Sequence, residues 1–109
     1  MKLSTLLTST LALAVMAAPV VATADSTLET VKKRGNLRCQ VGTPSGGFYN
    51  LDADGNWFGI DVAVCQAVTA AIFGDKTKME IQSVSSQARF TALANGESDM
   101  LCRTATWTI

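Results

Sequence analysis

The sequence has 109 residues, with nine basic and nine acidic side chains, no histidine and three cysteines. The lack of histidine excludes Ser-His-Asp and Cys-His catalytic arrangements and histidine-containing metal sites. The sequence also has no Cys-x-x-Cys pair, which makes a zinc site improbable. The balanced charge gives no basic surface for nucleic acid, and the apolar content predicts one folded domain at most rather than a disordered chain.

The N-terminal segment has the pattern of a secretory signal peptide. Lys2 precedes an apolar stretch from Leu6 to Val21, which is shorter than the roughly 20 apolar residues that a bilayer anchor needs. Ala22-Thr23-Ala24 matches the small-x-small pattern of a cleavage site. We therefore predict that residues 1–24 are removed on export and that residues 25–109 fold in an oxidising compartment, where cysteines can pair.

The folded part is predicted to begin with a helix followed by a strand. Ser26 and Glu29 have the spacing of a capping box, which predicts a helix that runs through Arg34. Gly35 is a natural end for that helix. Residues 37–42 alternate in polarity and predict the first strand.

A loop, a hairpin and a long helix are predicted next. Residues 43–56 are rich in Gly, Pro, Asn and Asp, and Asp54-Gly55 predicts a tight turn within them. Around this turn, Phe48-Tyr49 can pair with Trp57-Phe58. Asp61 is the predicted N-cap of the helix that follows.

That helix is predicted to end at Gly74. Its inward face is predicted to consist of Val64, Cys65, Val68, Ala71 and Ile72. Residues 78–84 predict a strand, and Ser85-Ser86 predict the cap of a helix over residues 87–95. The inward residues of this helix are predicted to be Phe90, Leu93 and Ala94. Residues 99–102 predict a third strand, so the order is β-α-β-α-β, which is typical of an α/β fold with a parallel sheet and right-handed crossovers.

Donor groups follow the three predicted strands. Ligands of open α/β sheets bind outside the carboxyl ends of the strands, an edge that residues 43–50, 85–89 and 103–108 reach here. These segments carry Ser85, Ser86, Thr104, Thr106, Thr108, Arg89 and Arg103. Hydroxyls, guanidinium groups and free helix amides without a nucleophile–base pair predict a site for a small anion, most simply a carboxylate. A simple helix cap, a solvated arginine and strand-forming threonines are the alternatives.

Four segments resemble bacterial extracellular solute-binding proteins of the polar amino-acid type. They are residues 31–42, 55–62, 86–99 and 103–108, and the likeness is to the general L-amino-acid-binding branch of ABC importers. The resemblance implies a type II periplasmic-binding-protein-like first lobe, of which residues 25–109 would be the first part. It also implies a periplasmic substrate-binding component that captures L-amino acids by their α-carboxylate and delivers them to membrane permease subunits.

The resemblance also implies which residues contact the ligand. Carried over to this sequence, the family's ligand contacts fall on Arg89, Thr104, Thr106 and Ser86. Arg103 is expected to gate or tune the site, and Phe48 is expected to pack beside the ligand. The implied ligand is an acidic amino acid, an amide or a broad range of amino acids, and no cofactor, metal or catalytic residue is implied. Because the family closes two lobes over its ligand, we expect this chain alone to bind amino acids poorly or not at all.

Two further questions stay open at the level of sequence. The same lobe occurs in secreted dehydratases and lytic transglycosylases, and in sensory lobes of receptors, but no glutamate of this sequence falls at the predicted strand edge. Cys39 and Cys65 are predicted to face the same layer, where a disulfide and two buried free thiols are equally compatible with the pattern. Cys102 is predicted to lie in the core.

Overall fold

The computed structural model describes residues 25–106 of the chain. The elements in chain order are α1 (Thr27–Arg34), β1 (Leu37–Val41), β2 (Asn50–Leu51), β3 (Trp57–Phe58), α2 (Ile60–Phe73), β4 (Met79–Ser83), α3 (Arg89–Ala94) and β5 (Met100–Leu101). The predicted signal peptide, residues 1–24, lies outside the described residues. No helix within residues 25–106 is long and apolar enough to cross a membrane.

A three-stranded parallel sheet with β1 at its centre organises the fold. The strand order is β4-β1-β5. Leu37 is in register with Met79 of β4, and Cys39 is in register with Met100 of β5. The predicted parallel sheet is confirmed, and the carboxyl ends of all three strands lie at one edge.

The two faces of β1 differ in polarity. Cys39 and Val41 are fully buried on the face that packs against α2. On the opposite face, the buried side chain of Gln40 donates a hydrogen bond to Ser98 Oγ at 3.1 Å. The apolar cluster on the α2 side consists of Val41, Tyr49 and Val62, with Trp57, Met79 and Ile81 packed against it. The core therefore lies between the sheet, α2 and the β2–β3 hairpin, close to the strand ends.

Helix α1 has the predicted capping box. Ser26 Oγ accepts a hydrogen bond from the Glu29 amide at 3.2 Å, and the Glu29 carboxylate accepts one from the Ser26 amide at 3.0 Å. The helix ends at Gly35, whose amide bonds back to the Val31 carbonyl. Both ends of α1 follow from residues adjacent in sequence, and the prediction is confirmed.

The hairpin forms, but the predicted pairing of Phe48-Tyr49 with Trp57-Phe58 is wrong. Asn50 pairs with Phe58 and Leu51 with Trp57. The register moves because the Asp52 amide bonds to the Asn56 carbonyl and closes the turn directly after Leu51. Tyr49 therefore does not pair with β3, and its side chain is buried in the core.

The turn between β2 and β3 depends on one carboxylate. Asp52 Oδ1 accepts hydrogen bonds from the amides of Asp54 and Asn56 at 2.9 and 2.8 Å. Hydrogen bonding, above all with Asn56, lowers the pKa of Asp52. We expect Asp52→Ala to open the turn, seen as faster amide exchange at Asn56, whereas Asp54→Ala, which removes the neighbouring carboxylate, should leave it intact.

The pKa of Asp52 is lower in the folded state than in the unfolded chain. The ionised carboxylate therefore contributes to the stability of the fold above the ordinary aspartate range, and this contribution is lost as the pH falls through the folded-state pKa. Acidification of the unmodified chain should therefore reproduce the effect of Asp52→Ala. Equal exchange rates in the two alanine variants would contradict this role of Asp52.

The N-cap of helix α2 lies two residues before the predicted one. Gly59 is the N-cap, and Asp61 lies inside the first turn. The amides of Ile60 and Asp61 donate to the carbonyls of Gly47 and Phe48 at 3.0 and 2.9 Å. Two loop carbonyls therefore accept from the first amides of α2, which a capping side chain would otherwise bind. The prediction that Asp61 is the N-cap is wrong.

The inward face of α2 is also rotated relative to the prediction. Its buried residues are Val62, Cys65 and Thr69, while Val64 and Ala71 are exposed. Because this helix is apolar on nearly all sides, its sequence period does not fix which stripe faces the sheet. The Thr69 hydroxyl can be buried because it donates a hydrogen bond to the Cys65 carbonyl at 2.7 Å.

Helix α3 is shorter than predicted and presents a different face. It starts at Arg89 with Ala88 as N-cap and no side-chain cap, so Ser85 and Ser86 do not cap it as predicted. Ala92 is its buried residue, whereas Phe90 is 58% exposed and Ala94 is exposed. The amides of Ser86 and Gln87 therefore do not lie at a helix N-terminus as predicted, since the helix begins at Arg89 and has six residues.

Candidate functional site

The chain segments that follow β1, β4 and β5 meet at the carboxyl edge of the sheet, called the strand-end site below. It comprises Gly42, residues 84–89 and residues 102–104. The Val84 amide donates to the Val41 carbonyl at 3.0 Å, and the Cys102 amide donates to the Gln40 carbonyl at 2.9 Å. These bonds extend the parallel ladder beyond β4 and β5 and fix the start of each segment.

Arg103 connects two of these segments. Its Nη1 donates to the Val84 carbonyl at 2.5 Å, and its Nη2 donates to Ser86 Oγ at 2.9 Å. Its Nε is buried without a hydrogen-bond partner among residues 25–106. The guanidinium group therefore lies across the strand ends with two of its donors already engaged.

Gly42 provides the space that Arg103 and Tyr49 occupy. A Cβ atom at this position would lie 2.6 Å from Tyr49 Oη and 2.9 Å from Arg103 Nη2. Tyr49 Oη also lies 3.5 Å from Thr104 Oγ1. Sequence analysis assigned no role to Gly42 or Tyr49 at this edge. The available signal was a glycine at the end of a buried strand, which marks close approach of other groups to the backbone.

Arg89 lies on the same side of the molecule as Thr104. Its Nη1 donates to the Thr104 carbonyl at 3.2 Å, and its guanidinium lies 4.8 Å from the centre of the Phe90 ring. The ring and the carbonyl hold one end of the guanidinium, while its charge is not neutralised. Arg89, Arg103 and Ser86 are thus brought together with Thr104.

The charge pattern differs between the two edges of the sheet. At the amino-terminal edge, Arg34 and Arg38 both pair with the carboxylate of Asp99. At the strand-end site, Arg89 and Arg103 have no carboxylate within ion-pair distance among the described residues. Their hydrogen bonds go to neutral acceptors, so two positive charges remain available to an anion.

The remaining predicted ligand contacts are Phe48, Thr106 and Thr108. Phe48 is half-exposed and its carbonyl caps α2, while Thr106 is exposed two residues beyond Thr104. Thr108 lies outside the described residues. A cavity of about 390 Å³ lies at the amino-terminal edge. Its lining charges are already paired, Arg38 with Asp99 and Asp25 with Lys33.

Cys102 places a thiol beneath the site. Its Sγ lies 3.2 Å from the Asp61 carbonyl oxygen. Burial, and to a lesser extent the negative charge of Asp61, raise the pKa of the Cys102 thiol. The thiol is therefore held in its neutral, poorly nucleophilic form.

We expect alkylation of Cys102 by iodoacetamide at pH 8 to be at least about tenfold slower in the folded chain than in urea. Since the pKa is higher in the folded state, stability should be constant below the ordinary thiol range and should fall as the pH rises above the unfolded value. Cys102→Ser should abolish this alkaline decline. Equal alkylation rates in the folded and unfolded chains would contradict a buried thiol.

Cys39 and Cys65 join β1 to α2 in the structure. Their sulfur atoms are 2.00 Å apart and their Cα atoms 6.2 Å apart. Both residues are fully buried.

The parallel sheet in the order β4-β1-β5 and the helices that pack on it define the chain as part of an α/β lobe of the type II periplasmic-binding-protein class. Residues 39–109 match the family described as bacterial extracellular solute-binding proteins, family 3. Because this match covers more than half of the chain, the protein belongs to that family.

Individual relatives agree with this assignment. The chain is 45% identical over 104 residues to the general L-amino acid-binding periplasmic protein AapJ of Rhizobium johnstonii, covering 95% of this chain and 30% of that protein. It is 49% identical over 83 residues to the glutamate/glutamine/aspartate/asparagine-binding protein BztA of Rhodobacter capsulatus, covering 76% of this chain and 25% of that protein.

Among solved structures, an ABC transporter periplasmic binding protein from Brucella ovis with glutathione bound has a TM-score of 0.74 and 46% identity, covering 78% of this chain and 26% of that chain. The chain thus spans between a quarter and a third of the length of these relatives.

Proposed function

We propose that this chain contributes the carboxylate-binding edge of a periplasmic amino-acid receptor that serves an ABC importer. The observation that carries the proposal is Arg89, which lacks a carboxylate partner among the described residues and donates to the Thr104 carbonyl. Arg103 also lacks a carboxylate partner there and adds a second positive charge to the same edge. An amino-acid α-carboxylate supplies the missing charge and accepts from planar guanidinium donors.

In this proposal Arg89 is the principal contact of the α-carboxylate. Its remaining N–H groups form charge-assisted hydrogen bonds, while the hydroxyls of Thr104 and Thr106 donate to the same carboxylate. Ser86 and Phe48 line the side of the ligand. The location in the periplasm and the amino-acid ligand follow the printed names of the relatives AapJ and BztA. The ABC importer, and with it the permease partner, follows the description of the Brucella ovis protein as an ABC transporter periplasmic binding protein.

The enzyme alternative has no observation in its favour. Glu29 caps α1, Glu80 accepts from Gln82, and Glu97 accepts from Asn95. All three glutamates are therefore engaged away from the strand-end site. An acid or base for dehydration or glycosidic cleavage would have to come from another group, so a binding role is the simpler proposal.

The test uses an ¹⁵N-labelled chain titrated with L-glutamine and, separately, with its α-amide, which lacks the carboxylate. We expect weak binding of L-glutamine, with shifts at the Arg89 side chain and at the amides of Thr104 and Thr106. Arg89→Gln should weaken binding by about tenfold or more, the cost of a charge-assisted hydrogen bond. Lys76→Gln removes the same net charge from an exposed position and should leave the affinity unchanged.

Two results would reject the proposal. One is equal binding of L-glutamine and its α-amide, since the α-carboxylate would then contribute nothing. The other is a set of ligand shifts confined to the amino-terminal cavity around Asp99. Micromolar affinity of this chain alone would separately contradict the expectation that one side of the ligand site binds poorly.

A further inference from the structure

Arg103 is bound to a segment that lies two strands away in the sheet. It follows β5, whereas its acceptors, the Val84 carbonyl and Ser86 Oγ, follow β4. In the order β4-β1-β5, the side chain must pass over the end of β1 to reach them. Gly42 lies at that end, and the missing side chain leaves the space in which Arg103 Nη2 and Tyr49 Oη lie.

The segment that Arg103 holds has few other attachments. The Val84 amide bonds to β1, and Ser85 Oγ accepts from the Ala88 amide at 3.3 Å. Residues 85–88 are exposed, and the first turn of α3 has no side-chain cap. Two hydrogen bonds from a charged donor therefore supply much of the order in the segment that leads to Arg89.

We propose that Arg103 is a positioning residue, which crosses the end of β1 through the space left by Gly42 and holds residues 84–88 so that Ser86 and Arg89 face Thr104. This inference rests on the proposed function for its effect on ligand binding, but its structural part holds for the unliganded chain. It assigns the hydrogen bonds of the Arg103 guanidinium to the protein, in agreement with its two engaged donors.

The first measurement is amide hydrogen exchange of the chain without ligand. Arg103→Gln should speed exchange at Val84 and Ala88 by about tenfold, the effect of losing a charge-assisted hydrogen bond. Exchange in α1 should not change, which separates a local role from general destabilisation. Arg103→Lys should restore part of the protection, because an ammonium reaches one of the two acceptors but does not match both.

The second measurement is a double-mutant cycle with Ser86→Ala. The single substitution should speed exchange at Ala88 less than Arg103→Gln does, and the double variant should match Arg103→Gln alone, since the Ser86 bond is already lost. Additive effects would overturn the proposal, as would unchanged exchange in Arg103→Gln. If Arg103→Gln fails to fold, Arg103→Lys and Ser86→Ala still test the same two bonds.

A ligand titration distinguishes positioning from direct contact. If Arg103 acts through the segment, Arg103→Gln should weaken L-glutamine and L-glutamate by the same factor of about five to ten. A selective loss of L-glutamate would mean that Arg103 contacts the ligand side chain and would overturn the proposal. The exchange measurements use the chain without ligand, so they decide the role of Arg103 even if the proposed function fails.

Discussion

Gly59→Ala is expected to cause the largest loss of stability of any single substitution considered, about 3 kcal/mol or more. Gly59 has φ of 126° and ψ of 174°, a conformation open essentially only to glycine. A Cβ there would collide with the Phe48 carbonyl group, with the carbonyl carbon 2.6 Å away. That carbonyl accepts from the Asp61 amide, so it cannot move without breaking the first turn of α2.

The combined cost of strain and displacement is about 3 kcal/mol or more, against a total of about 4 to 12 kcal/mol for a domain of this size. Urea denaturation followed by tryptophan fluorescence measures it. Gly74→Ala is the control for backbone strain alone, since Gly74 has φ of 71° with open space around it, and it should cost about 1 to 2 kcal/mol. Gly46→Ala has neither feature and should be near neutral. Equal losses at Gly59 and Gly74 would show that the contact with Phe48 is unimportant.

Removal of the Cys39–Cys65 pair is expected to have the second large effect. The bond links positions 26 residues apart, and closing a loop of this length stabilises a chain by about 3.5 kcal/mol in the chain-entropy description. Cys39→Ala/Cys65→Ala should lower the free energy of unfolding by about this amount, plus a contribution from the lost packing of two buried side chains. Reduction of the unmodified chain should give most of the same loss.

Cys102→Ala is the matched control, since it removes a thiol that forms no disulfide in the structure. A reductant should lower the stability of Cys102→Ala by the same amount as that of the unmodified chain. The direct measurement is mass spectrometry after alkylation in urea without reductant. One modified cysteine is expected, and three modified cysteines would show that the pair does not form.

Local sequence signals predicted the elements whose ends depend on nearby residues. The capping box of Ser26 and Glu29, the end of α1 at Gly35 and the parallel arrangement of three strands are all confirmed. The errors fall where the deciding partner is distant in sequence or in a loop. Gly47 and Phe48 carbonyls displaced Asp61 from its predicted capping role.

The site was predictable to a similar extent. The rule that ligands bind at the carboxyl ends of parallel strands brought Arg89 and Thr104 to one edge, and the structure joins them by a hydrogen bond. No pattern in the sequence indicated that Arg103 reaches Ser86, because this contact depends on the strand order and on the space at Gly42. Their roles toward a ligand remain predictions.

The sequence by itself determined the alternation of helices and strands, the parallel sheet and the family, because periodicity, caps and motifs depend on residues that are close together in the chain. Only the tertiary structure decided which stripe of α2 is buried, where the hairpin register lies and which arginines lack a carboxylate partner within residues 25–106. The physical reason is that burial and charge pairing depend on groups far apart in the chain. Asp99, for example, pairs with both Arg34 and Arg38 at one edge, while Arg89 and Arg103 have no carboxylate partner within the described residues at the other.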